Sequence, residues 1–198
     1  MRLTFLTGMV FGLLLMALPL LGTEGNHRPA MTDKPPVIDG KLDDPEWRKA
    51  TPLAAFKTFK PDFDKEPSEK TEVFVLYDRD YLYFGFNCLD SEPARIKASL
   101  SKRDNIDADD WIGIALDTFN DHQSGYLFCV NPLGVQMDGM LNADGNGDGS
   151  YDAVWTSQGK IGAAGYTVEM AIPFKSLRFL FRKNVCHMQT ASALARVK

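Results

Sequence analysis

The sequence predicts an all-β fold, an antiparallel β-sandwich of the immunoglobulin-like or jelly-roll type. Three observations carry that expectation. Short runs with strict period-two alternation recur along the chain, and they are rich in Val, Ile, Tyr and Phe. Clusters of Gly, Pro, Asn and Asp separate them at regular intervals. Beyond the N-terminal apolar run, no stretch carries the 3.6-residue period of a long amphipathic helix.

Residues 1–22 read as an export signal. Arg2 precedes an apolar run over residues 5–21, and Gly22 and Thr23 offer a small-residue cleavage point. A run of this length also suits an uncleaved membrane anchor, but Pro19 and Gly22 favour cleavage. No cysteine lies between residues 22 and 30 to take a lipid. The expected destination is the periplasm, the outer membrane or the medium. Residues 23–34 form a polar, proline-bearing linker, and residues 35–179 the domain proper.

The domain opens with PPVIDGKLDDPEWRKA, where Val37 and Ile38 run into an Asp39-Gly40 turn. Asp43 and Asp44 are helix N-cap candidates and Pro45 suits the first helical position. Trp47 is expected to plug this short helix onto the end of the sandwich. Strands are expected over residues 71–77 and 81–88, paired as a hairpin about Asp78-Arg79-Asp80. A short element is expected over 96–102, then strands over 111–117, 125–131, 135–141, 153–161 and 165–172.

The centre of the domain is DNIDADDWIGIALDTFND, residues 104–121. An acidic cluster (Asp104, Asp107, Asp109, Asp110) leads into a strand with Ile112, Ile114 and Leu116 on one face. Trp111, Gly113, Ala115 and Asp117 fall on the other face. Small residues beside a tryptophan leave a shallow hollow for a ligand, with carboxylates at its entrance. Sugar C–H faces stack on flat rings while hydroxyls need carboxylates or amides. Trp111, Trp155, Tyr151, Asp107 and Asn131 are therefore the candidate carbohydrate contacts, against the plainer reading that the tryptophans are packing residues.

DGNGDGSYDAVW, residues 144–155, matches the first half of a calcium loop. Asp144, Asn146 and Asp148 take positions one, three and five, Gly149 position six and Asp152 position nine. Trp155 stands where a bidentate glutamate belongs, so a Ca2+ ion here would also need carboxylates such as Asp109 and Asp110. A metal-free Gly-Asp-Asn turn is the competing reading.

A net charge of −4 argues against nucleic acid as a partner. Three cysteines do not make a disulfide framework; Cys88 and Cys129 are small buried hydrophobes, or one disulfide if their strands are neighbours. None of His27, His122 and His187 has a serine or cysteine in a pattern that suggests a nucleophile. Metalloprotease, P-loop and hydrolase-elbow motifs do not occur, and no enzyme is expected.

In order, PPVIDGKLDDPEW, VLYDRDYLYFGF, DADDWIGIALDTFNDHQSGYLFCVNPLGVQMDG, YDAVW and GYTVEMAIPFKSLRF resemble carbohydrate-binding module family nine. The nearest likeness is to the family-nine-like domain at the N-terminus of large bacterial outer-membrane-associated proteins. The resemblance spans residues 35–179 and implies an antiparallel sandwich, with structural calcium in some members, that binds glycans without cleaving them. In sugar-binding members a tryptophan stands where this chain has Asp107, a glutamate where it has Gly113, and an arginine where it has Cys129. A second tryptophan lies in a C-terminal segment beyond the matching words. Trp111 is the expected substitute platform. Residues 180–198 depart from the pattern, with no acidic residue and four basic ones (Arg182, Lys183, Arg196, Lys198), as a truncated or frame-shifted reading would produce.

The resemblance thus implies a carbohydrate-binding module of an exported cell-envelope protein involved in carbohydrate catabolism, with glycan on the Trp111 face. One alternative is an interaction or plug module that packs on an outer-membrane barrel domain and has no sugar site. Another is a haem-binding, DOMON-like sandwich with Met137 and Met140 as axial ligands.

Overall fold

Alternation does place the strands, and their apolar faces close on each other. The computed structural model describes residues 28–58, 63–119, 121, 123–142, 147–179, 181–182, 185–186 and 189–191. The segment expected to be an export signal, residues 1–22, lies outside them. The strands are β1 (Ala30–Met31), β2 (Thr71–Tyr77), β3 (Tyr81–Leu89), β4 (Ile112–Asp117), β5 (Ser124–Val130) and β6 (Gln136–Asn142). They continue with β7 (Gly147–Asp148), β8 (Thr156–Gly162), β9 (Gly165–Pro173), β10 (Phe181–Arg182), β11 (Val185–Cys186) and β12 (Gln189–Ala191).

Two five-stranded sheets form, in the orders β1-β2-β3-β9-β8 and β12-β4-β5-β6-β7, while β10 and β11 pair separately. Every pairing is antiparallel except β1 with β2, which is parallel. The edge of β4 pairs with Gln189–Ala191 of the basic C-terminal segment. The element expected over residues 96–102 is not a strand; that stretch is irregular and held by side-chain bonds described below.

The core lies between the sheets. Val73, Phe84, Phe86, Val168, Met170 and Ile172 of the first meet Ile112, Leu116, Phe128 and Val130 of the second. Burial of side chains of this size contributes on the order of 1.5–3 kcal/mol each. Cys88 faces this core from β3, whereas Cys129 belongs to β5 in the other sheet. Their strands are not neighbours, and the two are not joined.

A second cluster lies on the outside of the first sheet. Residues 30–50 cross that face, with Trp47 and Ala50 packed on Leu76, Tyr83 and Ala171. Pro45–Lys49 is a 3₁₀ turn. Asp44 precedes it without capping it; its Oδ2 instead accepts a bond from the Val37 N–H at 2.8 Å. Trp47 is 3 % exposed, the plug that the sequence predicts. Its anchor is Glu169, fully buried on the outer face of β9. Glu169 Oε1 accepts from Trp47 Nε1 at 2.9 Å, and Oε2 accepts from the Asp39 and Gly40 N–H groups at 2.9 and 2.8 Å. Burial pushes this carboxyl above its ordinary value, opposed by those three donors.

Candidate functional site

With much of the first sheet's outer face covered by residues 30–50, the outer face of the second sheet is considered first. Register and alternation assign its side chains. Gly113 and Ala115 of β4, Leu127 and Cys129 of β5, and Met137, Gly139 and Leu141 of β6 point away from the core. Leu127, Met137 and Leu141 are half-buried, so the face is apolar with a centre of small residues.

Trp111 stands at the entrance to β4 and is half-buried. A Cβ built on Gly113 would lie 3.3 Å from the Trp111 ring and 2.8 Å from Cys129 Sγ. The indole therefore lies beside β4 in space that any larger residue at 113 would claim. The hollow expected next to Trp111 is partly filled by the ring itself and by the Cys129 sulfur. Asp107 is exposed and close enough to Cys129 for its charge to act on the thiol. Burial first, then the charges of Asp138 and Asp107, push that thiol up to about 12, so Cys129 stays protonated and inert. Trp111, Gly113 and Cys129 thus come together on one outer face, and Asp107 is near enough for its charge to reach the thiol.

The other sequence candidates stand elsewhere. Trp155 is 7 % exposed and lies between the sheets, edge-on to Phe128 with ring centroids 5.2 Å apart. Tyr151 packs on Tyr126 at the same sandwich end, and its hydroxyl donates to the Ser176 carbonyl at 2.6 Å. Asn131 is fully buried. Its Nδ2 donates to the Ser99 carbonyl and to Asp109 Oδ2, both at 2.8 Å, and its Oδ1 accepts from the Leu133 and Val135 N–H groups. These three side chains hold the fold, and a sugar on the Trp111 face would not meet them.

The acidic cluster is likewise occupied. Asp109 accepts from Ser99 N–H, Ser99 Oγ and Asn131 Nδ2, and Asp110 accepts from Lys97 N–H at 3.2 Å. Both are buried, and they tie residues 97–111 into a clasp. Of the expected calcium ligands, Asp144 and Asn146 lie outside the described residues. Asp148 is exposed with a bond from Ser150 N–H, and Asp152 pairs with Arg103 Nη2 at 3.1 Å. Among the described residues no three His, Cys, Asp or Glu side chains gather as a metal would require. Met137 and Met140 pair with Cys129 and Tyr126 on opposite faces of β6, so they cannot grip one haem from a common side.

Arg103 had no signal in the sequence. Its guanidinium donates to Gln136 Oε1 at 2.8 Å, to the Ala153 carbonyl at 2.7 Å and to Asp138 Oδ1. Asp138 is buried on the core side of β6, and its Oδ2 accepts from Ala153 N–H at 2.6 Å. Asp104, in the left-handed region at φ 63°, donates its N–H to the Gln136 carbonyl at 2.9 Å. Arg103 and Asp104 therefore fasten the segment bearing Asp107 and Trp111 to β6.

Residues 38–192 match the family model described as carbohydrate family 9 binding domain-like. No curated protein matches the chain. Among solved structures, it is similar to a carbohydrate-binding module family 9 from Caldicellulosiruptor kristjanssonii in complex with glucose. Identity is 16% over 74% of this chain and 69% of that one, with a TM-score of 0.45. The same module in complex with cellotriose gives 16% identity, 74% and 67% coverage and a TM-score of 0.45. A putative carbohydrate-binding protein from Bacteroides uniformis gives 11% identity, a TM-score of 0.48, and coverage of 63% of this chain and 60% of its own. Two facing sheets and a family match over most of the length lead to one assignment: the chain belongs to the carbohydrate family 9 binding domain-like family.

Proposed function

We propose that this protein is an exported, non-catalytic carbohydrate-binding module of the cell envelope that holds glycan on the outer face of its second sheet. The observation that carries the reading is Trp111. It is a half-exposed indole laid beside Gly113, with the exposed Asp107 carboxylate near the Cys129 thiol and with apolar Met137 and Leu127 on the outer face of the same sheet. The ring offers a flat surface to sugar C–H groups, and Asp107 accepts from hydroxyls. With Gly113 and Cys129 where the family resemblance implies a glutamate and an arginine, few polar groups fix the sugar's orientation. Broad, weak recognition of a glycan surface follows from that chemistry. No described helix is long and apolar enough to cross a membrane.

Affinity electrophoresis and calorimetry on a panel of soluble glycans test this reading. Retention on at least one glycan is expected, lost in Trp111→Ala and weakened in Asp107→Ala. A folded protein that binds none of them sinks it. The second reading, an interaction or plug module on an outer-membrane barrel, draws on the apolar character of the same face. It predicts that Trp111→Ala abolishes co-purification with such a barrel while glycan binding is nil.

A further inference from the structure

The cover on the first sheet is incomplete. Leu42 and Trp47 lie over Gly85, where an added Cβ would sit 2.6 Å from Leu42 Cδ2 and 3.2 Å from the indole. Beside Leu42 an open depression of about 400 Å3 remains, lined by Lys41, Leu42, Asp43, Phe74, Asn87 and Thr167. Register explains its floor. Glu72 pairs with Asn87, Asn87 with Thr167, and Thr167 with Lys160, so four polar side chains cross four strands as one row. Phe74 stands one step along β2, on the same face.

Two cations beside this row are paired within the protein. Lys41 pairs with Asp39 at 2.6 Å and Lys70 with Glu72 at 2.7 Å, while Asn87 Nδ2 donates to Glu72 Oε2 at 3.0 Å. Thr167 Oγ donates to the Gly40 carbonyl at 2.6 Å, which leaves its lone pairs as acceptors. The lining thus offers the half-buried Phe74 ring, an amide oxygen, a hydroxyl oxygen, the exposed carboxylate of Asp43 and the paired ammonium of Lys41. For an anionic ligand the lining itself holds only a paired cation, Lys41, beside the repelling carboxylate of Asp43, while Lys160 stands at the β8 end of the row outside the lining. A neutral polyhydroxylated ring has acceptors for its hydroxyls and a flat apolar surface for its C–H face.

We propose that this depression is a second saccharide site, taking one or two neutral hexose units, on the sheet opposite Trp111. The proposal goes beyond the single-face reading above and does not depend on it. Two sites on opposite faces would let one module bridge two glycan strands, raising avidity on an insoluble surface over either site alone.

The experiment uses the 15N-labelled protein titrated with cellotriose, xylotriose and chitotriose. Three tryptophan indole signals and the Asn87 side-chain amide act as local reporters. The Asn87 amide is expected to shift with at least one trisaccharide, in the wild type and equally in Trp111→Ala. Asp43→Ala, a change at an exposed side chain that leaves the packing alone, is expected to weaken that response about tenfold. A shift at the Trp111 indole with none at Asn87 overturns the second site and leaves the first standing. A shift at Asn87 alone keeps the second site and removes the first. Silence at both reporters overturns both.

Discussion

Position 113 shows how one missing side chain shapes the candidate face. A methyl there would press on Cys129 Sγ at 2.8 Å and on the Trp111 ring at 3.3 Å. Overpacking of this kind costs about 1–3 kcal/mol. Gly113→Ala is therefore expected to lower stability in that range and to swing the indole outward, read as a red shift of Trp111 fluorescence. Glu169 is the opposite case, a side chain that cannot be exchanged for its isostere. Each of its oxygens already receives an N–H, so the amide of Glu169→Gln must point its NH2 at a donor. A loss of about 2 kcal/mol is expected in urea unfolding. Strand β9 was legible in GYTVEM, but the partners of Glu169 were not. Alternation puts Glu169 opposite Val168 and Met170, on what reads as a solvent face. A segment more than a hundred residues earlier in the chain covers that face, and local pattern does not carry such distant contacts.

At the scale of elements, the clasp over residues 97–111 decides where Asp107 and Trp111 stand. Burial works to raise the Asp109 carboxyl, but bonds from Asn131, from Ser99 Oγ and from the Ser99 N–H outweigh it and hold the group below its ordinary value. A depressed carboxyl contributes stability that is fully present above the unfolded value of about 3.9 and is lost as pH falls through the folded value. Urea midpoints of the wild type are expected to drop more steeply below about pH 4 than those of Asp109→Asn. The variant should be weaker near neutrality by about 2 kcal/mol and flatter in acid. Parallel acid limbs for the two proteins would refute the assignment. The central strand itself was legible from Ile112, Ile114 and Leu116. The acidic residues before it were legible as a cluster, not as a clasp, because carboxylates that gather a metal and carboxylates that accept backbone N–H bonds have the same composition. Trp155 illustrates the same limit. A tryptophan beside aspartate suits a sugar platform or a core wall, and its place between the sheets follows from Arg103 and Asp138 drawing Ala153 inward.

For the whole molecule, the question is what couples the two sheets besides the apolar core. Strand β8 runs between two glycine-bearing turns. On one side Gly40 approaches so closely that its Cβ would lie 3.0 Å from the Gly159 carbonyl carbon. On the other, the turn between β5 and β6 leaves only 2.5 Å from a Cβ on Gly159 to the Pro132 oxygen and 2.8 Å to the Gly134 nitrogen. Ser157 Oγ fixes the same turn by donating to the Gly134 carbonyl at 2.9 Å. The N-terminal segment, the first sheet and the second sheet therefore meet at backbone contact around Gly159. The obstacle to a side chain there is backbone, which cannot rotate away as a flexible side chain would. Gly159→Ala is expected to cost about 3 kcal/mol and to lower the melting temperature by roughly 6–12 °C. Gly149→Ala serves as the contrast, since nothing lies within 4 Å of its would-be Cβ. That change is expected to be neutral or to stabilise by about 0.5 kcal/mol, through the entropy of the unfolded chain. Hydrogen exchange in the Gly159→Ala protein should rise together in β8, in residues 36–44 and in the β5–β6 turn. Faster exchange confined to β8 would mean that the two sheets are held by the hydrophobic core alone.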